Sequence, residues 1–461
     1  MDTRWGSLAR YRDWISVVII AFSSLLLHLI PFLRYGGNPL GYDTGFYRRY
    51  LIQPVHSFPN TPVPGLGSDA LVPRILLDTL RLTHLSPDVI LYGTYLLFFA
   101  FFPVCMYFLL RPRFGAGAAF LSAFLIVLSP IQYNAFSYMF WKNAWALCLL
   151  AIAFISVERR YAVALILCDL AIALSHKTTA IIYIATLLVL AVFDGGRQRM
   201  ALTNVGITGA LLALVNFSVL GTALSAPPVA IFIDWHIFLV LSCPFALFIA
   251  AGWRSFLDRP RIPTVLLAFL VASLLFPIFQ SPFYERIFVF CDIALAVFAG
   301  YALNHVLSNF DLNSLDIRFF VSFAALCISV GLLFGVLLDQ IRAFAPLISK
   351  NSIASIEQLT AQIPPDATIL TTSDEAPWFE GWTEAHIAAP GMLRDNHNLD
   401  EWIGFWTATS SAQKIAFLNG LPRPLYIATL GNFDDILGTT TIPCLTEISP
   451  QLRRDDCATK E

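Results

Sequence analysis

An acid stands among glycines and aromatics near the start of the chain, in Gly36-Gly37-Asn38-Pro39-Leu40-Gly41-Tyr42-Asp43-Thr44-Gly45-Phe46-Tyr47-Arg48-Arg49-Tyr50. Glycines on both sides of Asp43 let the backbone turn tightly and let a bulky ligand approach. The plainer reading is that Asp43 caps a helix beginning near Thr44. Four further ionisable groups recur in short polar breaks of an otherwise apolar sequence: Lys142 beside Asn143, His176 beside Lys177, Asp234 with His236, and Glu285 with Arg286. Each supplies an acid, a base or a phosphate ligand. A lone Lys near the end of an apolar helix has a bland role as well, snorkelling to the interface. Whether these groups do chemistry together depends on what brings them to one place.

Composition names the element type. Of 461 residues, 57% are hydrophobic and 13% charged, with a formal net charge of -2. So much apolar surface with so few charges excludes disorder, a disulfide-dense secreted module and a nucleic-acid binder, and leaves a polytopic membrane protein. Apolar runs lie near 14–33, 88–110, 116–133, 143–157, 161–175, 178–193, 201–220, 237–252, 263–280, 286–303 and 317–338. Most approach the length of a bilayer crossing, giving about eleven α-helical spans. Arg4, Arg10 and Arg12, Arg111 and Arg113, Arg159 and Arg160, Arg197 and Arg199, Arg254, Arg259 and Arg261, and Arg318 all fall in alternate loops, on the side of the N-terminus. The positive-inside rule makes that side cytoplasmic. Asp43, Lys142, His176, Lys177, Asp234, His236, Glu285 and Arg286 are then expected together at the outer face.

The first span is long, follows a basic N-terminus and lacks a small-residue cleavage site, so it reads as a retained anchor. Asp169 and Asp292 lie deeper in spans, each seven residues from an outer-turn residue, His176 and Glu285 respectively. Three roles are open to them: orienting the outer residues, carrying protons, or hydrogen bonding between helices. No Walker A loop, GxGxxG, HExxH or CxxC occurs, which argues against ATP-driven transport within this chain, nicotinamide chemistry and zinc sites of those types.

Charge divides the chain. Residues 1–340 carry 21 Lys and Arg against 16 Asp and Glu, and residues 341–461 carry 8 against 15. The sequence therefore reads as a membrane domain over 1–340, with a long first outer loop at 34–87, and a C-terminal extracytoplasmic domain over 341–461. In the loop, Leu71, Val72, Ile75, Leu76 and Thr79 form one helical stripe opposite Arg74, Asp78 and Arg81. That pattern suits a helix lying in the membrane interface or a surface helix packed on the protein. In the tail, 352–362 and 411–418 look helical, and 367–372 and 424–429 look like strands, which implies a small α/β or α+β unit. Trp378, Phe379, Trp382, Trp402, Phe405 and Trp406 interleave with Asp374, Glu375, Glu380, Asp400 and Glu401. Such a set suits either a carbohydrate surface or a small core. Cys444 and Cys457 are the only cysteines in the tail, and an extracytoplasmic location would allow a disulfide between them.

Several stretches resemble one family. Gly41-Tyr42-Asp43-Thr44-Gly45-Phe46-Tyr47 looks like an acid-bearing first-loop motif; Phe140-Trp141-Lys142-Asn143-Ala144 and Ser175-His176-Lys177-Thr178 look like outer-turn motifs; Tyr284-Glu285-Arg286-Ile287, with Ala299-Gly300-Tyr301-Ala302-Leu303 closing its span, looks like a late helix. In this order and on one side they resemble the GT-C superfamily of integral-membrane glycosyltransferases, over about three quarters of the chain. The resemblance implies transfer of a sugar, with inversion, from a polyprenyl-phosphate-linked donor to an outer-face glycan, lipid or protein acceptor, with membrane lipid as the surroundings and no nucleic acid. It implies Asp43 as general base or metal ligand and His176, Lys177 and Arg286 as contacts to the donor phosphate, with Lys142, Asp234, His236 and Glu285 in support. Metal-dependent members carry more than one acid around the early loops. No DxD-like pair accompanies Asp43, so a divalent cation such as Mg or Mn is secondary to a metal-independent reaction. The competing readings are a lipid-linked glycan transporter or flippase, using Asp169, Asp292 and His28, and a glycan polymerase or ligase.

Overall fold

The structure, a computed structural model, describes residues 2–223, 233–256, 262–280, 284–308, 317–390, 397–438 and 442–457. Arg259 and Arg261 lie outside these, as do the side chains of Arg4, Arg10 and Arg318. Each predicted span is met by a helix. The chain runs through α1 (Asp2–Tyr35), then α2 (Thr44–Ile52) and α3 (Leu71–Arg81) of the first loop, then α4 (Pro87–Val127). Gly115, at φ 79°, breaks α4 where the second predicted span gives way to the third. The third span stops at Val127, because Ser129 and Pro130 start a separate short helix, α5 (Pro130–Ser137), with Ser129 as its cap. There follow α6 (Trp141–Arg159), α7 (Ala162–Ala173), α8 (Lys177–Phe193), α9 (Gln198–Ala223), α10 (Trp235–Ala251), α11 (Thr264–Ile278), α12 (Tyr284–Ser308) and α13 (Ile317–Ala343).

Six of the described helices are long and apolar enough to cross a bilayer, and four apolar ones are shorter. The protein is an integral multi-pass membrane protein. Two compact units emerge from the contacts: Met1–Gly36 with Tyr92–Ala345, and Gly37–Leu91 with Pro346–Glu461. The first loop, grouped by sequence with the spans, thus shares its unit with the tail.

In the first unit the buried core is a bundle of apolar side chains from α4, α6, α8, α10, α11 and α12. Gly300 of α12 explains one close crossing. A Cβ there would sit 2.3 Å from the backbone N of Ser122 on α4, and Ser122 Oγ donates to Val297 O at 2.8 Å. The arginines that mark one side in the sequence share acids at one end of this unit. Arg111 pairs with Asp13 at 2.8 Å, and Arg113 and Arg197 meet Glu158 at 3.6 and 3.0 Å.

In the second unit the tail forms α14 (Lys350–Thr360), β1 (Thr368–Leu370), α15 (Ala376–Trp382), β2 (His386–Ala388), α16 (Leu399–Thr407), α17 (Ser411–Leu418), β3 (Leu425–Ala428), α18 (Asp434–Leu437), β4 (Leu445–Ser449) and β5 (Leu452–Asp455). The sheet order is β2-β1-β3-β5-β4. Strands β1, β2 and β3 are parallel, and β4–β5 is an antiparallel hairpin on the β3 edge. The central parallel strands are apolar and buried throughout, as a sheet covered on both faces requires. Cys444 and Cys457 form a disulfide beside this hairpin. Most of the tail aromatics are core: Trp378, Phe379, Trp402 and Phe405 are buried, while Trp406 is exposed.

Helix α2 packs on α15 through glycine. A Cβ on Gly381 would lie 2.6 Å from Cα of Gly45, and one on Gly45 would overlap the carbonyl of Pro377. Only two side-chain-free positions allow this approach. Arg48 donates to Gly381 O at 2.5 Å, and Arg49 to the carbonyls of Thr383 and, at 2.7 Å, Glu384.

Helix α3 sits with its polar face inward. Asp78 accepts from Tyr50 OH and Asn60 N, both at 2.7 Å, while Arg74 donates to Asn60 O at 2.9 Å. Arg74 and Asp78 are buried, whereas Ile75, on the apolar stripe, is exposed. The rest of the apolar stripe, Leu71, Val72 and Leu76, is half-buried.

Candidate functional site

In the first unit, three helix N-termini converge. Lys142 and Asn143 lie in the first turn of α6, whose register is held by Trp141 Nε1 donating to Thr94 Oγ1 at 2.8 Å. His176 is the N-cap of α8: its Nδ1 accepts from the backbone N–H of Thr179 at 3.3 Å and lies 2.8 Å from the Thr179 hydroxyl. That hydroxyl in turn donates to Asn143 Oδ1 at 3.4 Å, which joins the α6 and α8 ends. Arg286, in the first turn of α12, places its guanidinium carbon 5.9 Å from the centre of the Phe140 ring, and its Nε is buried with no hydrogen-bond partner among the described residues. His176 occupies the turn outside both flanking helices. Burial, then the charges of Lys142, Arg286 and Lys177, hold its pKa well below the ordinary histidine value. The ring is therefore neutral. The result is a focus of positive potential: three side-chain cations plus helix N-termini, the arrangement that holds phosphate.

Asp234 and His236 lie at another helix start. Asp234 caps α10 by accepting from Ile237 N at 2.8 Å and lies 3.7 Å from His236 Nδ1, and both are exposed. Glu285 is half-buried in the first turn of α12. Of the deep acids, Asp169 accepts from Tyr183 OH at 2.8 Å, and Asp292 accepts from Ser129 Oγ at 2.6 Å and Gln132 Nε2 at 2.8 Å. Both are fully buried in hydrogen bonds between helices, the last of the three roles open to them in the sequence.

The acid of the first loop lies in the second unit. Asp43 holds the N-cap position of α2, but its carboxylate makes no capping bond. Its Oδ2 is 3.5 Å from Tyr47 OH. The neighbouring Tyr42 donates its hydroxyl to Ser373 O, in the loop between β1 and α15. Burial, then the charges of Asp374 and Asp43, raise the Tyr42 pKa to about 12, so both acids lie near that ring. The loop is fixed by Glu375, which accepts from Thr371 Oγ1 at 3.0 Å and Leu430 N at 2.9 Å. The Tyr42–Ser373 bond was not legible in the sequence, its partners being more than 300 residues apart. The aromatic at 42 was the one visible signal.

Solved structures share this architecture. An Archaeoglobus fulgidus oligosaccharyltransferase, tethered to an acceptor peptide with an NVT sequon, matches with a TM-score of 0.63 at 14% identity over 91% of this chain and 69% of that one. ArnT from Cupriavidus metallidurans, bound to undecaprenyl phosphate, matches with a TM-score of 0.59 at 13% identity over 100% of both chains. The chain has the GT-C fold. The arabinofuranosyltransferase AftD from Mycobacteria extends the set, with a TM-score of 0.56 at 16% identity over 95% of this chain and 37% of that larger one. No family model and no curated protein sequence matches. Within the GT-C fold the cationic turns belong to the helical unit and the Asp43 turn to the unit that holds the tail.

Among the described residues, one group of three metal-ligating side chains lies close together, Cys444, Asp455 and Cys457. It does not fit a metal. The sulfurs are bonded to each other, and Asp455 is engaged by Arg423 at 2.7 Å and by Cys457 N at 2.7 Å.

Proposed function

We propose that the protein is a membrane glycosyltransferase that moves a sugar from a polyprenyl-phosphate-linked donor to a hydroxyl-bearing acceptor at the outer face of the membrane. The observation that carries the reading is the meeting of Lys142, Lys177 and Arg286 around a neutral His176 at converging helix N-termini. In the transfer, the bond from the sugar C1 to the phosphate oxygen breaks and its electron pair stays on the phosphate. Positive groups already in place stabilise that growing charge without reorganisation. Arg286, Lys177 and Lys142 supply charge, and the neutral His176 ring supplies one hydrogen-bond donor.

The acceptor oxygen forms the new bond to C1 and gives its proton to Asp43. A carboxylate does this only as the transition state develops, so its placement matters as much as its pKa. A single displacement of this kind inverts the configuration at C1. Asp374 is a second acid whose charge, like that of Asp43, acts on Tyr42. ArnT bound to undecaprenyl phosphate supports the donor class.

The N-terminus is assigned to the cytoplasm and the tail to the outside. The arginine clusters around Asp13 and Glu158 support the first, and the Cys444–Cys457 disulfide, a bond of oxidising compartments, supports the second.

The test is Asp43→Asn in the full chain, reconstituted in lipid. Transfer from a polyprenyl-phosphate sugar falls by at least about a hundredfold, the usual range for a lost general base, while binding of polyprenyl phosphate is unchanged. Normal turnover by this variant would remove the assignment.

A further inference from the structure

The tail carries a cleft that the catalytic reading does not use. It has a volume of about 280 Å³ and is lined by Glu357, Thr360 and Ala361 at the end of α14 and by Trp382, Thr383 and Glu384 at the end of α15. That is near the lower end of the usual ligand-site range of roughly 300–1,000 Å³ and has room for one or two sugar rings. Trp382 is half-buried, and the Arg48 guanidinium carbon lies 4.4 Å from its ring centre, which fixes the ring plane. Glu357 and Glu384 are exposed, so two carboxylates stand beside one aromatic ring.

We infer that this cleft binds a saccharide, as the acceptor subsite of the enzyme. The C–H face of a pyranose or furanose ring packs on an indole, and carboxylates accept from pairs of ring hydroxyls. A lining that combines an indole with two carboxylates supplies both kinds of contact. The arrangement suits a polyol better than an acidic lipid headgroup, which the two carboxylates would repel.

The place of the cleft gives it a role. Its α15 wall is fixed to α2 by Arg48 on Gly381 O and by Arg49 on Thr383 O and Glu384 O. Helix α2 begins at Asp43, and Arg48 lies five residues on, a rise of about 7.5 Å. The cleft wall is thus tied to the helix that begins at the acid. The inference takes its ligand class from the glycosyl-transfer reading, and binding is therefore measured apart from turnover.

The full-length protein in lipid nanodiscs is examined by saturation-transfer NMR with tetrasaccharides of mannan, glucan, galactan and arabinan, one at a time. At least one of them receives saturation. Trp382→Ala removes the indole, and Ala361→Trp fills the cleft from an exposed position; each weakens that binding by about tenfold or more. Asp43→Asn retains it, whether or not transfer is lost, so a failure of the catalytic assignment is distinguishable from a failure of the cleft. No saturation with any of the probes overturns the inference, as does binding that both cleft variants leave unchanged. Capture of a hydroxyl-bearing peptide in the cleft in place of all four saccharides overturns it too.

Discussion

Gly45 and Gly381 touch backbone to backbone: a Cβ on Gly381 would stand 2.6 Å from the Cα of Gly45. One belongs to the helix that begins at the loop acid, the other to the tail helix α15. The contact fixes the turn that presents Asp43.

Gly381→Ala is expected to destabilise the unit formed by the loop and tail by about 1–3 kcal/mol, the cost of a forced overpacked contact. Gly45→Ala costs more, since its methyl would overlap the Pro377 carbonyl. Thermal unfolding of the protein in detergent checks the order, and equal melting of the two variants and the parent would contradict it.

Arg286→Gln removes a cation whose Nε has no hydrogen-bond partner among the described residues. A charge-assisted hydrogen bond contributes about 1.5–3 kcal/mol, so the KM for the lipid-linked donor rises by roughly ten- to a hundredfold. Inhibition by free polyprenyl phosphate weakens in parallel. A change confined to the acceptor KM would place Arg286 elsewhere in the reaction.

Glu380 is buried, and burial raises its pKa from 4.5 to about 7, with Arg49 acting in the opposite direction. A carboxyl whose folded-state pKa is raised contributes stability that is complete below pH 4.5 and lost as pH rises through about 7. Unfolding of the loop and tail unit therefore becomes easier from pH 5 to pH 8, and Glu380→Gln flattens that dependence. A wild-type profile that rises over this interval would refute it.

The Cys444–Cys457 bond closes a loop of sequence separation 13. Replacing both cysteines with serine is expected to cost about 3 kcal/mol of tail stability by the loop-entropy relation. Mild reductant should lower the melting temperature of the parent and leave that of the double variant unchanged.

Hydropathy made the helices legible, because a span must satisfy its backbone within itself and so writes its length in consecutive apolar residues. The alternate arginines made the cationic focus legible: they put Lys142, His176, Lys177 and Arg286 on one side, and the helix ends gather them. Asp234 and His236, marked by the same rule, lie at the start of α10, where Asp234 caps the helix. The α3 stripe was visible, but its direction was not, since amphipathicity alone does not say which face meets protein. The Tyr42–Ser373 bond, the Gly45–Gly381 contact and the nearness of Asp374 leave no local pattern. They join segments that are each ordinary in isolation.

The ties between α2 and α15 also set an order of assembly. Arg48 and Gly381 are separated by 333 residues. At about 5–20 residues per second, a ribosome needs roughly 20 to 70 s after making the loop before it reaches the segment that holds it. Throughout that interval the Asp43 turn lacks its partner helix while the intervening spans are being inserted. The proposed catalytic acid therefore comes under geometric control only once α15 has been made, and a chain truncated before residue 376 would never fix it.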